Sequence, residues 1–289
     1  MKLLFSVSLV FSLSGLTLFT ASAQEGDSAS GDSASGGEDL AKQLANPISS
    51  LISVPFQANW DFGIGVNDAS RFTLNIQPVI PMSINDDWNL IVRTILPVID
   101  AESPAPGVPD ASGLGDIVQS FFFSPKDPVG GWILGAGPVF LYPSASETLL
   151  GSEQWGAGPT AVALKQEGPW TYGALVNHLW SYAGDETRSD VDATFLQPFV
   201  SYVTPTKTTY SLNAESTYDW ERDQWTVPIN AVVSQLFKMG SQPAQVFAGA
   251  RYYAEGPDGG PEWGIRAGVT LLFPTAKMAP SGKQVVSVK

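Results

Sequence analysis

Four arginines of this chain, Arg71, Arg93, Arg251 and Arg266, stand inside stretches where polar and apolar side chains alternate. A fifth such stretch, "KTTYSLNAESTYDW" from Lys207 to Trp220, carries the carboxylates of Glu215 and Asp219. A guanidinium is permanently charged and planar. Several on one wall can guide anionic or aromatic solutes by charge and stacking, or can be neutralised in a network of buried ion pairs. The sequence leaves both open. Gln57, Asn75 and Asn213 share the polar parity of these charges and complete the set of candidate binding residues.

Other chemistries are poorly supplied. The chain has one histidine, His178, in "NHLWSY", and no cysteine. A strand-borne relay for lipid hydrolysis needs His-x-Ser. Here Trp180 takes the place of the serine, and Ser181 belongs to the opposite face. A single histidine excludes a histidine-based metal site. The acidic stretches "DWERDQ" and "EGPDGGPE" lack a recognised Ca²⁺ spacing, so cations that bridge lipopolysaccharide, or water, are their expected partners. An acid pair for glycosidase work has no distinguishing mark. No catalytic residue, metal or cofactor is therefore assigned. The net charge of −13 argues against nucleic acid, whose phosphates require a basic surface.

The elements that must position the arginines are strands. In the run from Lys207, Tyr210, Leu212 and Ala214 share one face, while Asn213 and Glu215 share the other. Twelve such runs are expected, over 49–60, 71–82, 88–99, 114–123, 132–142, 155–165, 170–182, 191–203, 208–219, 225–238, 244–254 and 263–273. Most are about twice as long as a typical globular strand of roughly 5–6 residues and match the about 9–11 residues of a tilted transmembrane strand. Outer-membrane barrels of bacteria have an even strand number. Long acidic connectors alternate with short ones beside which Lys126, Lys165, Lys207 and Lys238 lie. The long set is expected outside the cell and the short set in the periplasm.

The nine tryptophans, Trp60, Trp88, Trp132, Trp155, Trp170, Trp180, Trp220, Trp225 and Trp263, all fall at or near ends of these runs. Indole has an apolar body and one N–H donor, so two rings of it suit the headgroup zones of a membrane. The expected fold is all-β: a closed antiparallel transmembrane β-barrel of about 12 strands, apolar face to lipid and polar face to the interior. Pro78, Pro138, Pro159, Pro198 and Pro228 fall inside the runs and call for bulges. The run 114–123 leaves a polar residue outward on either parity.

Around the barrel, residues 1–23 read as a signal peptide with the cleavage pattern Ala21-Ser22-Ala23. Residues 24–47 read as a flexible linker with tandem "GDSAS" and a short helix over 38–46, a tether in preference to a plug. The barrel occupies 48–273 and a polar tail 274–289.

The motifs "GLGD" at Gly113–Asp116, "FFFSPK" at Phe121–Lys126, the two "GAGP" turns, "STYDW" at Ser216–Trp220 and the closing "LLFP" resemble a family of outer-membrane transporters that includes proteins of the phenol meta-cleavage pathway. Relatives sometimes carry the label neuromedin U, which this architecture contradicts. The likeness covers roughly residues 40–273 and implies a barrel lineage without a substrate. The tail after Phe273 departs from the usual terminal aromatic of barrel-assembly signals. The expected function is a passive channel for small anionic or aromatic solutes in a Gram-negative outer membrane. Its expected partners are outer-membrane lipid, lipopolysaccharide, the barrel-assembly machinery and a small-molecule solute, with no nucleic acid. The alternatives are a non-conducting structural or adhesion barrel and a secreted soluble β-sandwich that binds carbohydrate.

Overall fold

The computed structural model describes residues 40–240 and 242–273. The signal peptide, the linker up to residue 39 and the tail lie outside the described residues. Sixteen strand segments join into twelve barrel strands. They are β1 (Ile52–Ile64), β2 (Ala69–Ile76 with Val79–Ser83), β3 (Trp88–Ala101), β4 (Ala111–Leu114 with Ile117–Pro125), β5 (Trp132–Tyr142) and β6 (Gln154–Glu167). The rest are β7 (Trp170–Gly184), β8 (Asp192–Val203), β9 (Thr208–Ala214 with Ser216–Asp219), β10 (Gln224–Thr226 with Pro228–Met239), β11 (Gln242–Tyr253) and β12 (Trp263–Phe273). Each pairs antiparallel with the next, and β12 pairs with β1 from Ile52↔Phe273 to Phe62↔Trp263. The ring therefore has no free edge. One closed wall is not two stacked layers, so the β-sandwich alternative is overturned.

Below, the near end is where β1 starts and the far end is where it finishes. Several strands run past their expected far-end boundaries. β1 continues to Ile64 and β2 already begins at Ala69, which shortens the first far-end connector from 61–70 to 65–68, and β3 continues to Ala101. Pairing stops only where turn geometry intervenes, at Gly65 (φ 66°) and Asp68 (φ 52°).

The prolines sit where the ladder is already broken. Pro138 pairs with Pro159 across β5 and β6. The β4–β5 register skips Gly137 and Pro138, and the β6–β7 register skips Gly158 and Pro159. A Cβ on Gly137 would lie 2.0 Å from the Phe121 carbonyl oxygen, and one on Gly158 would lie 1.8 Å from that of His178. Each "GAGP" thus combines a residue with no donor to offer and a glycine whose missing Cβ leaves room for the neighbouring carbonyl. The register is the same on both sides of each gap, so the prolines sit in in-register gaps and the expected bulges are not what accommodates them. Pro78 likewise lies in the break in β2, Pro228 opens the second segment of β10 directly after its break at Val227, and Pro198 faces the break in β9.

The outward polar residue of the run 114–123 is Gln119. It is satisfied in place, donating to Thr94 Oγ1 at 3.0 Å and accepting from the Tyr142 hydroxyl at 3.1 Å. Inside, the wall has two characters. From β9 through β12 to β2 it is mainly polar, with Val79, Leu236 and Leu272 as apolar exceptions toward the near end. From β3 to β8 it is mainly apolar apart from Arg93 on β3, and Ile91, Phe122, Val162, Leu164 and Leu175 form one buried cluster with Val79 and Ile48, against which Phe195 and Phe199 pack.

Residues 40–51 correct the expectation of a tether. Residues 40–44 are helical, Leu40 and Leu44 pack on the inward side chains Leu236 and Leu272, and Ala41 and Leu51 are wholly buried. Gln166, on the near end of β6, donates to the Lys42 carbonyl at 2.8 Å. The segment thus spans the near mouth, with Ile48 on the apolar wall and its leucines on the other. Its own leucine and isoleucine side chains account for this: a barrel interior partly lined with apolar groups offers them burial that water would not.

Candidate functional site

The charged groups of the interior converge near the middle of the barrel. Glu215 fills the gap between the two segments of β9, its amide donating to the Pro228 carbonyl at 3.0 Å. Both its carboxylate oxygens accept from Arg266 of β12, at 2.8 and 2.7 Å, in a bidentate fork. Arg251 of β11 lies 3.4 Å from Glu215 and 3.6 Å from Asp61 of β1, with its guanidinium 5.2 Å from the Tyr253 ring centre. Arg266 Nε also donates to Asn59 Oδ1 at 2.7 Å. Arg266 is only 3% exposed and Asn59 only 1%. Such a pair exchanges costly desolvation for strong attraction, and survives because each of the three guanidinium nitrogens donates to an oxygen.

Arg93 lies one level nearer the near end. It donates to Gln77 Oε1 at 2.9 Å, and among the described residues no carboxylate lies within 4.0 Å of it. Arg71 shares the inward parity but stands apart, exposed at the far end. There it lines a void of about 180 Å³ with Leu149 and Leu150 of the connector 143–153. That connector carries the one 3-10 turn among the described residues, Thr148–Leu150. The structure therefore brings Arg251 and Arg266 together, places Arg93 beside them and leaves Arg71 out. Glu215, on β9, reaches across to β11 and β12. Asp219 turns to Arg222 in the far-end connector, at 2.7 Å. Gln57 and Asn75 are register partners on the inner wall. Asn213 accepts from Asn230 at 2.9 Å, inside. Asp61 and Asn59 join the cluster beyond the residues expected from sequence, although their alternation with Trp60 marks them as inward.

All nine tryptophans are at least 36% exposed on the outside of the barrel. Trp88, Trp132 and Trp170 begin strands at the near end. Trp60, Trp155, Trp180, Trp220, Trp225 and Trp263 lie toward the far end. His178 also faces outward at the far end, with its ring 4.0 Å from Trp180. Its Nδ1 is 2.7 Å from Thr194 Oγ1 and its Nε2 is 3.0 Å from Asp192. Sequence spacing did not find these partners, because they come from β8. The three groups do not form a relay: His178 Nε2 and Asp192 Oδ1 approach without hydrogen-bond geometry, and Trp220 Nε1 donates to the same Thr194 oxygen at 2.9 Å. No group of three or more His, Cys, Asp or Glu able to hold a metal occurs among the described residues.

No family model matches the chain, and no curated protein sequence does. Among solved structures, an outer membrane channel from Pseudomonas putida F1 overlays with a TM-score of 0.60 at 16% identity, covering 77% of this chain and 94% of that one. Outer membrane phospholipase A from Escherichia coli overlays more loosely, with a TM-score of 0.43 at 12% identity over 81% of this chain and 97% of its own. The β domain of the Bordetella autotransporter BrkA is comparable, at 0.43 and 11% identity over 78% and 100%. The overlay on the channel shares the fold: a closed antiparallel barrel of twelve strands.

Proposed function

We propose that this chain is an outer-membrane barrel that passes small solutes by diffusion, and that the conformation described is its closed state. The observation that carries the reading is the contrast between outside and inside. The outer surface exposes Ile80, Leu212, Val233, Val246 and Ile265 between two belts of tryptophan, while the inner wall from β9 to β2 holds buried arginine, asparagine and glutamine. An apolar belt between aromatic girdles suits hydrocarbon between headgroup layers. The near end is then periplasmic and the far end extracellular. Outer-membrane lipid and lipopolysaccharide surround it, and the barrel-assembly machinery inserts it. The fold shared with a bacterial outer membrane channel agrees with this. Among the described residues no helix is long and apolar enough to cross a membrane, so crossing falls to the strands.

The solutes favoured are anionic or aromatic, since the central cluster holds Arg93, Arg251 and Arg266 against Asp61 and Glu215. The likeness to transporters of the phenol meta-cleavage pathway points the same way and is part of the proposal. In planar bilayers, a variant lacking residues 40–47 is expected to conduct more than the full chain and to prefer anions. The double variant Arg251→Ala with Arg266→Ala is expected to lose that preference. No conductance from either the full chain or the truncated one would sink the conduit. A second reading is then favoured by the apolar cluster and the seated segment: a non-conducting structural or adhesion barrel whose filled interior only stabilises it.

A further inference from the structure

Arg93 is surrounded by the barrel yet keeps part of its surface open to a void of about 140 Å³ on its near side. That void has two kinds of wall. Gln77, Arg93 and Gln245 come from the barrel, and Gln43, Asn46 and Ser49 come from the segment seated in the mouth. Two of its features are unmatched. Arg93 has only the neutral Gln77 as a hydrogen-bond partner among the described residues, and the central cluster of three arginines and two carboxylates leaves one positive charge uncompensated. Gln43 Oε1 is a buried acceptor without a donor. Glu215 acts on Arg93 only from beyond contact distance, and a buried cation with no carboxylate in contact, beside an acceptor without a donor, fits a ligand with one carboxylate and one hydroxyl. At about 30 Å³ per water, the space equals four or five waters or one small organic acid.

We propose that this void is a binding site for a small hydroxycarboxylate, and that the bound anion holds residues 40–51 in the near mouth. Half of the site exists only while the segment is docked. A ligand that uses both halves therefore favours the docked state by its differential affinity. The carboxylate accepts from Arg93, and the hydroxyl donates to Gln43 Oε1. The anion is thus a lock on the closed conformation. The proposal rests on the conduit reading for its purpose, because a lock matters only where there is a path to close.

The test does not require conductance. The chain has no cysteine, so Ala41→Cys places a single thiol at a wholly buried position of the docked segment. Its rate of maleimide labelling in proteoliposomes reports undocking, and Ala45→Cys, half-buried, serves if the first variant fails to dock. Lactate at ten times its dissociation constant is expected to slow labelling about tenfold. Lactamide, which has no charge, is expected to have no effect, and Arg93→Gln is expected to abolish the response to lactate. Unchanged labelling with lactate, equal protection by lactamide, or faster labelling as the anion displaces the segment would each overturn the proposal. Protection by lactate in a barrel that never conducts would uphold the site and sink the conduit reading instead.

Discussion

The two halves of the interior are built on different physics. The wall from β9 to β2 holds a charged network around Glu215, in which each group depends on partners from distant strands. The wall from β3 to β8 holds Ile91, Phe122, Val162, Leu164 and Leu175, packed as in the core of a soluble protein. The first is specific and fragile, because removing one ion strands the others in a medium that solvates them poorly. The second tolerates change in shape but not in volume. A barrel interior, then, need not be a uniform polar lining. Where an inserted segment excludes water, an inward apolar face is as favourable as an outward one.

That contrast can be broken or sharpened by substitution. Glu215→Ala leaves Arg266 without its fork and Arg251 with Asp61 alone, and is expected to cost about 3–5 kcal/mol in urea unfolding from detergent. It should also shift ion preference further toward anions. A loss under 1 kcal/mol would mean that water already reaches the network. Leu164→Ala, on the apolar wall, is expected to cost about 2–5 kcal/mol through the cavity it leaves, with ion preference unchanged. A change in selectivity there would show that solutes touch the apolar wall. Val269→Arg tests the outside, near the middle of β12. An expected cost of about 2–4 kcal/mol applies if hydrocarbon covers that position. Its inward neighbour Thr270 is 4% exposed and faces the void beneath the seated segment. Thr270→Arg should therefore dislodge residues 40–51 and raise conductance.

The strands themselves were legible because their pattern has a short period and a fixed consequence. Ile52, Val54, Phe56, Ala58 and Trp60 can share only one face of an extended chain, and Ser53, Gln57, Asn59 and Asp61 take the other. The register confirms the neighbours, with Asn59 opposite Arg266 and Ala58 opposite Ala267. β4 was harder to read. Its inward residues Ser120, Phe122 and Ser124 mix polarity, and its outward Gln119 is rescued by Thr94 and Tyr142 from adjoining strands. Polarity by itself cannot assign a face when both sides are dry. The segment 40–51 was misread for a related reason: a short helix with two leucines looks like a tether until something apolar is found for it to cover.

Alternation of residues, run length and the terminal tryptophans determined that this chain makes a membrane-sized closed barrel, since these depend only on backbone geometry and on what each side chain prefers to touch. Which arginine meets which carboxylate, where prolines find their ladder gaps and what fills the near mouth were decided by tertiary structure. Those contacts join residues up to 207 positions apart, as Arg266 and Asn59 are. Their distances follow from ring closure and strand stagger, and no local pattern encodes them.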